Sequence, residues 1–477
     1  MRGSVLTVVA LCAFLTTLDT TIVVLALPAV QEEFGLSTAR LAWVPGAYTL
    51  AFAACLVSGG RLADVHGRRT VLVGGLLLFT AASLMAAASP TGAVLIAGRA
   101  VQGVGSALVL PAALAVVMAA PDQAARDRGA AVWMASLATA LAAGPVVGGL
   151  ITQFWHWSGI FWINLPLGAG VALLALTVPE SRADGVRPDL TGMLTCAVAL
   201  GAAAFALLHG QEAGWAHPAV GAAAATAVLG AALFVLLQRR SAHPMLDLAL
   251  LRARAFRGGT TAQVLWGMGV NGAFFFVSLF LQRGLGLDPS TSGLMFLPIA
   301  ALLVVCSPLA PAASARFGPA RTVAAGLTCV SVGLACTAVV AATAPRAVLL
   351  LPGLAAIGAG SALTVPLTTA VLSDVPEERV GVAGGVFSTA REASGLLGIG
   401  LLGVLITLWR DTARAGGASP AVALTQGYAV GLGLAAVLVA VGAAVAATTL
   451  PGAPDGDRMG ARGRLAPDLP RRGDRDR

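Results

Sequence analysis

The sequence predicts an all-α polytopic membrane protein of fourteen spans: two six-helix halves with two more helices inserted between them. Three observations carry this. The 477-residue chain is 57% hydrophobic and only 11% charged, outside the range of soluble domains. Apolar stretches of bilayer length recur from residue 5 to residue 450, and only helices satisfy their backbone polar groups within one lipid-spanning segment. Finally, Gly103–Pro111 (G-V-G-S-A-L-V-L-P) returns at Gly358–Pro366 (G-A-G-S-A-L-T-V-P), an offset of 255 residues. A weaker echo pairs Arg69-Thr70-Val71 with Arg321-Thr322-Val323, an offset of 252. Parallel repeats of this kind are typical of transporters that rock around a midplane site.

The first six spans are expected near 5–30, 42–62, 70–89, 93–119, 129–152 and 158–178. A pair follows near 190–209 and 216–238. The last six are near 258–282, 293–314, 321–342, 346–372, 381–408 and 426–450. This divides the chain into residues 1–185, an inserted pair within 186–250, a second half at 251–450, and a tail at 451–477. The tail is rich in Pro, Gly, Asp and Arg and is expected to be disordered. Val5–Pro28 exceeds a signal-peptide core and lacks a small-x-small cleavage site, so it reads as a retained first span.

All thirty basic residues are Arg. With both termini inside, the cytoplasmic segments hold 23 of them, seven in the tail; the outer loops hold five, and Arg99 and Arg391 lie within spans. Short Arg-rich loops are retained in the cytoplasm, which fixes the expected topology in the cytoplasmic (inner) membrane. The net charge of +8 thus reflects one membrane face, not nucleic-acid binding. The six cysteines sit singly inside apolar runs and are expected to be small buried apolar residues, without disulfide or metal. The five His are scattered, no H-E-x-x-H or G-x-S-x-G occurs, and a chain without Lys has no phosphate-binding G-x-x-x-x-G-K-[ST]. These absences argue against a membrane enzyme and an ATP-driven pump.

Five stretches can carry function. Asp19, in L-D-T-T-I, stands mid-span, where a carboxylate costs about 2.5–3.5 kcal/mol on insertion scales and so faces a cavity or the bundle interior. It reads either as a proton-coupling carboxylate or as a structural Asp capped by neighbouring Thr hydroxyls. Gly60–Leu72 (G-R-L-A-D-V-H-G-R-R-T-V-L) is expected to form a short cytoplasmic turn. Gly60 and Gly67 would permit close approach, and Asp64 would neutralise an Arg or cap the next helix beside Arg68 and Arg69. Arg99, followed by Gln102 in R-A-V-Q-G, needs a partner inside the bundle or else snorkels to the headgroups.

Ala140, Gly144 and Gly148 are four residues apart on one face. With Pro145 and Gly149 they mark a close-packed, kinked helix. Arg391 and Glu392 are adjacent opposite charges, so at least one should meet another helix; Glu392 is a second protonatable candidate or half of a structural ion pair. Trp133, Met134, Trp266, Asn271, Phe274 and Phe275 are candidates for an amphipathic pocket, alongside Gln102.

Together these residues resemble the major facilitator superfamily and, within it, its fourteen-helix drug:proton antiporters. Gly60–Leu72 resembles the loop signature between helices 2 and 3, departing at Val65, where a basic residue is usual. Leu18–Pro28 resembles the helix 1 signature, with Val24 in place of an Asn, and Arg99–Ala107 the helix 4 motif. Gly144–Gly149 is similar to the antiporter motif of helix 5. Phe161–Pro166 is similar to the phrase at helix 6, with Ser158 and Gly159 where Arg and Trp usually stand. Leu281-Gln282 and Gly293–Pro298 match the phrasing between helices 9 and 10.

The resemblance implies a proton-driven exporter of amphipathic toxic compounds. Asp19 and Arg99 would take part in proton coupling, Asp64 and the loop Arg residues in conformational switching, and Gly144 and Pro145 in shaping the antiport helix. It implies no cofactor, and a monomer whose partners are substrate, protons and lipid. Two alternatives stand beside it: an exporter of an ordinary metabolite, and a membrane sensor that binds without transport.

Overall fold

The computed structural model describes residues 3–119, 122–182, 189–241, 244, 246–376 and 380–452. The expected disordered tail lies outside them from residue 453 onward. Among the described residues, all regular structure is helical, and thirteen helices are long and apolar enough to cross a membrane.

The first half consists of α1 (Gly3–Phe34), α2 (Thr38–His66), α3 (Arg68–Ala87), α4 (Gly92–Met118), α5 (Gln123–Phe154), α6 (Gly159–Trp162) and α7 (Asn164–Ala175). The sixth expected span is thus a shorter apolar helix, Gly159–Ala175, broken at Ile163. The cause is local: Pro166 has no N–H to give the Trp162 carbonyl. The insertion is α8 (Leu190–Ala213) and α9 (Pro218–Arg240).

The second half runs from α10 (Arg254–Leu279), through α11 (Pro289–Leu294), α12 (Leu297–Cys306) and α13 (Leu309–Phe317), to α14 (Pro319–Thr343). It continues as α15 (Ala347–Leu363), α16 (Pro366–Leu372), α17 (Val380–Ala415) and α18 (Pro420–Thr449). Prolines again make the breaks. Pro298 and Pro308 punctuate the span expected at 293–314, and Pro366 separates α15 from α16.

The sequence repeat is also a packing repeat. A Cβ on Gly103 would collide with the Tyr48 carbonyl of α2, and one on Gly358 with the Ile299 carbonyl of α12. Two residues on, Gly105 lies against the Phe79 backbone of α3, and Gly360 against Gly326 and Val330 of α14. Each motif therefore seats its helix between the second and third helices of its half, close enough that only glycine fits. The ends match as well. Ser181, after the last helix of the first half, accepts the Arg68 N–H at 2.9 Å; Pro451, after the last helix of the second, accepts the Ala320 N–H at 3.2 Å.

The inserted pair packs on one side of the join between α2 and α17. Gln211 of α8 donates to the Gly400 carbonyl of α17 at 3.2 Å, and Arg40 of α2 lies 3.6 Å from Glu212. Helix α9 is exposed almost throughout, and its outer face is apolar. The same geometry corrects the reading of the cysteines. Only Cys12 is buried; Cys55, Cys196, Cys306 and Cys329 are half-buried and Cys336 is exposed, because an apolar residue here is as well accommodated by lipid as by protein.

Candidate functional site: a buried ion pair behind a central cavity

Asp19 is fully buried and accepts three side-chain hydrogen bonds, none from a Thr hydroxyl. Arg99 Nη1 donates to Oδ2 at 2.5 Å, Asn164 Nδ2 to Oδ1 at 2.8 Å and Gln102 Nε2 to Oδ1 at 3.2 Å. The hydroxyls of Thr20 and Thr21 turn back to the Thr17 carbonyl instead, which removes the capped-Asp reading.

Arg99 is 1% exposed, so it does not snorkel. Its Nε donates to the Val44 carbonyl at 3.2 Å, and its guanidinium lies 4.5 Å from the Tyr48 ring centroid, within cation–π range. Arg99 and Gln102 are three apart on α4 and so share a face; Gln102 Oε1 accepts from Arg99 at 2.9 Å, while its Nε2 also donates to Ser83 at 2.7 Å. A buried ion pair persists only where its remaining donors and acceptors are also satisfied, and this network supplies them.

A cavity of about 210 Å³ lies between the halves, on the other side of α1. Thr20, Thr21 and Val24 face Asn271, Phe274 and Phe296 across it, with Pro145 and Glu392 at its sides. Of the pocket candidates, Asn271, Phe274 and Phe275 line it. Gln102 does not, because the Asp19 cluster holds it. Trp133 is half-buried against the first-half core, Met134 is 55% exposed, and Trp266 is half-buried against the core that the two halves share.

Arg391 and Glu392 adopt the ion-pair alternative, although adjacent residues point to different faces of a helix. They pair with each other, Arg391 Nη2 donating to Glu392 Oε1 at 2.8 Å. Their long side chains bridge neighbouring positions while Glu392 still reaches the cavity.

The glycines of α5 seal one end of this cavity. A side chain on Gly144 or Gly148 would strike Thr21 or the Ile22 carbonyl of α1. Gly149 lies against the Pro289 carbonyl of α11, and Gly293 of α11 against the Pro145 carbonyl. Pro28 has no N–H and leaves the Val24 carbonyl without its helical donor; Ser278 of α10 supplies one at 2.8 Å. Gln282 donates to the Leu25 carbonyl at 3.1 Å. The contacts of Gly149, Gly293, Ser278 and Gln282 join the halves at the end away from Gly67. Towards the Gly67 end, Met134 of α5 and Val304, Val305 and Leu309 of α12 and α13 are exposed.

The loop motif forms a tighter turn than expected. Gly60 through His66 remain helical, and the chain reverses at Gly67 alone, with φ +106°. Asp64 pairs with Arg68 at 3.1 Å across that turn. The group at the start of α3 is Glu180, which accepts from the Arg69 N–H at 3.0 Å, the Thr70 N–H at 3.2 Å and the Thr70 hydroxyl at 2.7 Å. A carboxylate at a helix N-terminus is favoured by the dipole and by free N–H groups. Partial burial pushes its pKa up, but the hydrogen bonds from Thr70, Arg69 and Ser181 outweigh this and hold it below the ordinary glutamate value.

Sequence reasoning missed Glu180 and gave Asn164 no role. Asn164 carried a usable signal, since it is a polar side chain inside an apolar span. Among the described residues, no group of three or more His, Cys, Asp or Glu is placed to hold a metal ion.

A family model described as the Major Facilitator Superfamily matches residues 9–399. The chain is 36% identical over 414 residues to the multidrug resistance protein Stp of Mycobacterium tuberculosis, covering 86% of this chain and 77% of that one. It is 34% identical to the methylenomycin A resistance protein of Streptomyces coelicolor, covering 85% and 86%. The cephamycin export protein CmcT of Amycolatopsis lactamdurans is also 34% identical, covering 92% of each. Among solved structures, a D-xylose-proton symporter superposes with a TM-score of 0.66 at 14% identity, covering 94% of this chain and 98% of that one. That likeness concerns the fold alone.

Proposed function

The chain belongs to the major facilitator superfamily, and from that premise we propose that it exports amphipathic toxic small molecules, as a drug or antibiotic efflux transporter driven by proton antiport. Relatives named for multidrug resistance and antibiotic export support the substrate class. The observation that carries the coupling is a juxtaposition on α1. Thr20 and Thr21 line a cavity shared by both halves, while the adjacent Asp19 is buried on the far side in an ion pair with Arg99. A substrate-facing surface and a protonatable group thus share one stretch of helix.

The proposed cycle needs differential affinity between two states. In the state described, Asp19 is held by Arg99 and the cavity is closed away from Gly67. The Arg distribution assigns the Gly67 face to the cytoplasm, which makes this the cytoplasm-facing state. An amphipathic compound binds against Phe274 and Phe296, and a cationic one gains from Glu392. After rocking, a proton from outside neutralises Asp19 and leaves Arg99 held by the Tyr48 ring, the Val44 carbonyl and Gln102 Oε1. Loss of the proton to the cytoplasm restores the pair. The Gly67 turn, held by Asp64–Arg68 and by Glu180, remakes its contacts at each reversal. The energy source is the proton gradient rather than a bound cofactor, and the protein works as a monomer with both termini cytoplasmic.

The test is proton movement in inverted vesicles with a preset pH gradient, to which cationic dyes and antibiotics are added. Compounds that are exported discharge the gradient in wild type. Absence of discharge by every compound on a broad panel, with the protein present in the membrane, would contradict drug:proton antiport.

A further inference from the structure

The Asp19 cluster contains one polar atom that its ionised state does not use. Asn164 is 1% exposed, and its Nδ2 donates to Asp19 Oδ1 at 2.8 Å. Among the described residues, nothing donates to Asn164 Oδ1, although the atom is buried. Buried acceptors are ordinarily satisfied, and an orphan beside a group that changes protonation has a specific meaning. An ionised carboxylate offers only acceptors; a protonated one adds an O–H donor that needs an acceptor of its own.

The other groups around Asp19 are donors or acceptors that are already engaged. Arg99 has only donors. Gln102 Oε1 already accepts from Arg99, and the Val44 carbonyl accepts from Arg99 Nε. The remaining titratable groups near the cluster are Tyr48 on α2, over whose ring Arg99 lies, and Glu392 on α17, beyond Thr20 and Thr21 in the cavity. Neither forms a hydrogen bond with Asp19.

We propose that Asn164 is the proton-dependent partner of Asp19, a positioning residue whose carboxamide reverses when the acid is protonated. With Asp19 ionised, Nδ2–H donates to the carboxylate. When a proton adds to Asp19, a half-turn about the Cβ–Cγ bond of Asn164 presents Oδ1 to the new O–H. One O–H bond forms on Asp19, the proton comes from water, and no other covalent bond changes. The amide thus supports both protonation states and holds the neutral acid in place once its ion pair with Arg99 is lost. Its place in the chain fits this role, because it is the first residue of α7, immediately after the break at Ile163, where the helix can readjust.

This inference rests on the proposed role of Asp19 in proton coupling, and its test separates the two. Purified protein in lipid is titrated while the infrared carboxylic C=O stretch is recorded, the Asp19 band being the one missing from Asp19→Asn. Asn164→Leu keeps a similar volume but has no acceptor. The Asp19 band should move to higher wavenumber in this variant, because its O–H has lost its hydrogen bond, and the pH midpoint of substrate-driven proton release should move with it. If Asn164→Leu does not assemble, Asn164→Ala is read in the same way. An unshifted band with an unchanged pH midpoint overturns the role of Asn164 while leaving Asp19 in place. Full proton coupling in Asp19→Asn overturns the coupling reading itself.

Discussion

The two halves share a skeleton and differ in charge. Gly103–Pro111 and Gly358–Pro366 make equivalent close approaches to the second and third helices of their own halves. Yet the positions offset by 255 from Arg99 and Gln102 are Leu354 and Ile357, both buried in apolar contacts. The first half thus keeps an ion pair, Asp19–Arg99, where the second keeps a hydrophobic core. In the proposed mechanism the difference is a division of labour: the second half would supply Phe274 and Phe296 as apolar surface for a ligand, and the first would hold the proton-exchanging group behind its own cavity-lining threonines. A duplicated scaffold needs only one half to carry a fully buried ion pair; the Arg391–Glu392 pair of the second half stays partly exposed.

Making the first half resemble the second should have the largest effect. Arg99→Leu alone leaves Asp19 buried and unpaired, which is expected to cost about 3–5 kcal/mol and to lower the thermal midpoint in detergent sharply. Asp19→Asn together with Arg99→Leu removes both charges. This double variant should regain most of that stability and still bind substrate, but show no substrate-driven proton movement. Recovery of stability without loss of coupling would break the comparison.

Next come the glycines that the halves share. Gly103→Ala and Gly358→Ala each force a methyl into a neighbouring carbonyl, and overpacking of this kind costs about 1–3 kcal/mol. The two should be similar in size, measured as shifts in thermal midpoint. A large effect confined to one half would show that the packing repeat is only superficial.

How the two third helices are anchored provides a smaller contrast. Both α3 and α14 are met by the segment that follows the last helix of their half, but among the described residues only α3 has a carboxylate there. Because the folded pKa of Glu180 lies below its unfolded value of about 4.3, its stabilisation is complete above about pH 4.3 and fades as pH falls through the folded value. Glu180→Gln should therefore lose about 0.5–2 kcal/mol near neutral pH, as for a lost helix cap, and its deficit should shrink in acid. The thermal midpoint of both forms, followed from pH 7 downward, checks the sign. The smallest expected change is Phe274→Ala, which should weaken binding of apolar compounds by about tenfold, the scale of a truncated contact at the edge of a site, with coupling intact.

These contrasts were unequally legible in the sequence. The helices and the repeat were plain, because long apolar runs and a nonapeptide at fixed offset survive without knowledge of contacts. Asp19 and Arg99 stood out because a charge inside a span is expensive. Glu180 did not, because it is an ordinary loop residue until its partners, 110 positions earlier, are folded against it. Nor were the cavity walls legible. Met134 is exposed towards the Gly67 end and Trp266 is half-buried against the core, whereas Phe274 faces the cavity, and composition cannot separate such surfaces when all three are apolar. Gln102 was misplaced for the opposite reason, since a polar residue inside a span has two possible homes, a cavity or a buried network.

The measurement closest to the central claim uses purified protein in liposomes loaded with substrate. Counterflow of labelled substrate and proton movement are recorded together for wild type and Asp19→Asn. The account predicts that the variant still exchanges substrate for substrate, which needs no net proton transfer, while its proton-driven accumulation is lost. Accumulation against a gradient by Asp19→Asn at the wild-type level would contradict it, and would move the coupling role to Glu392 in the other half.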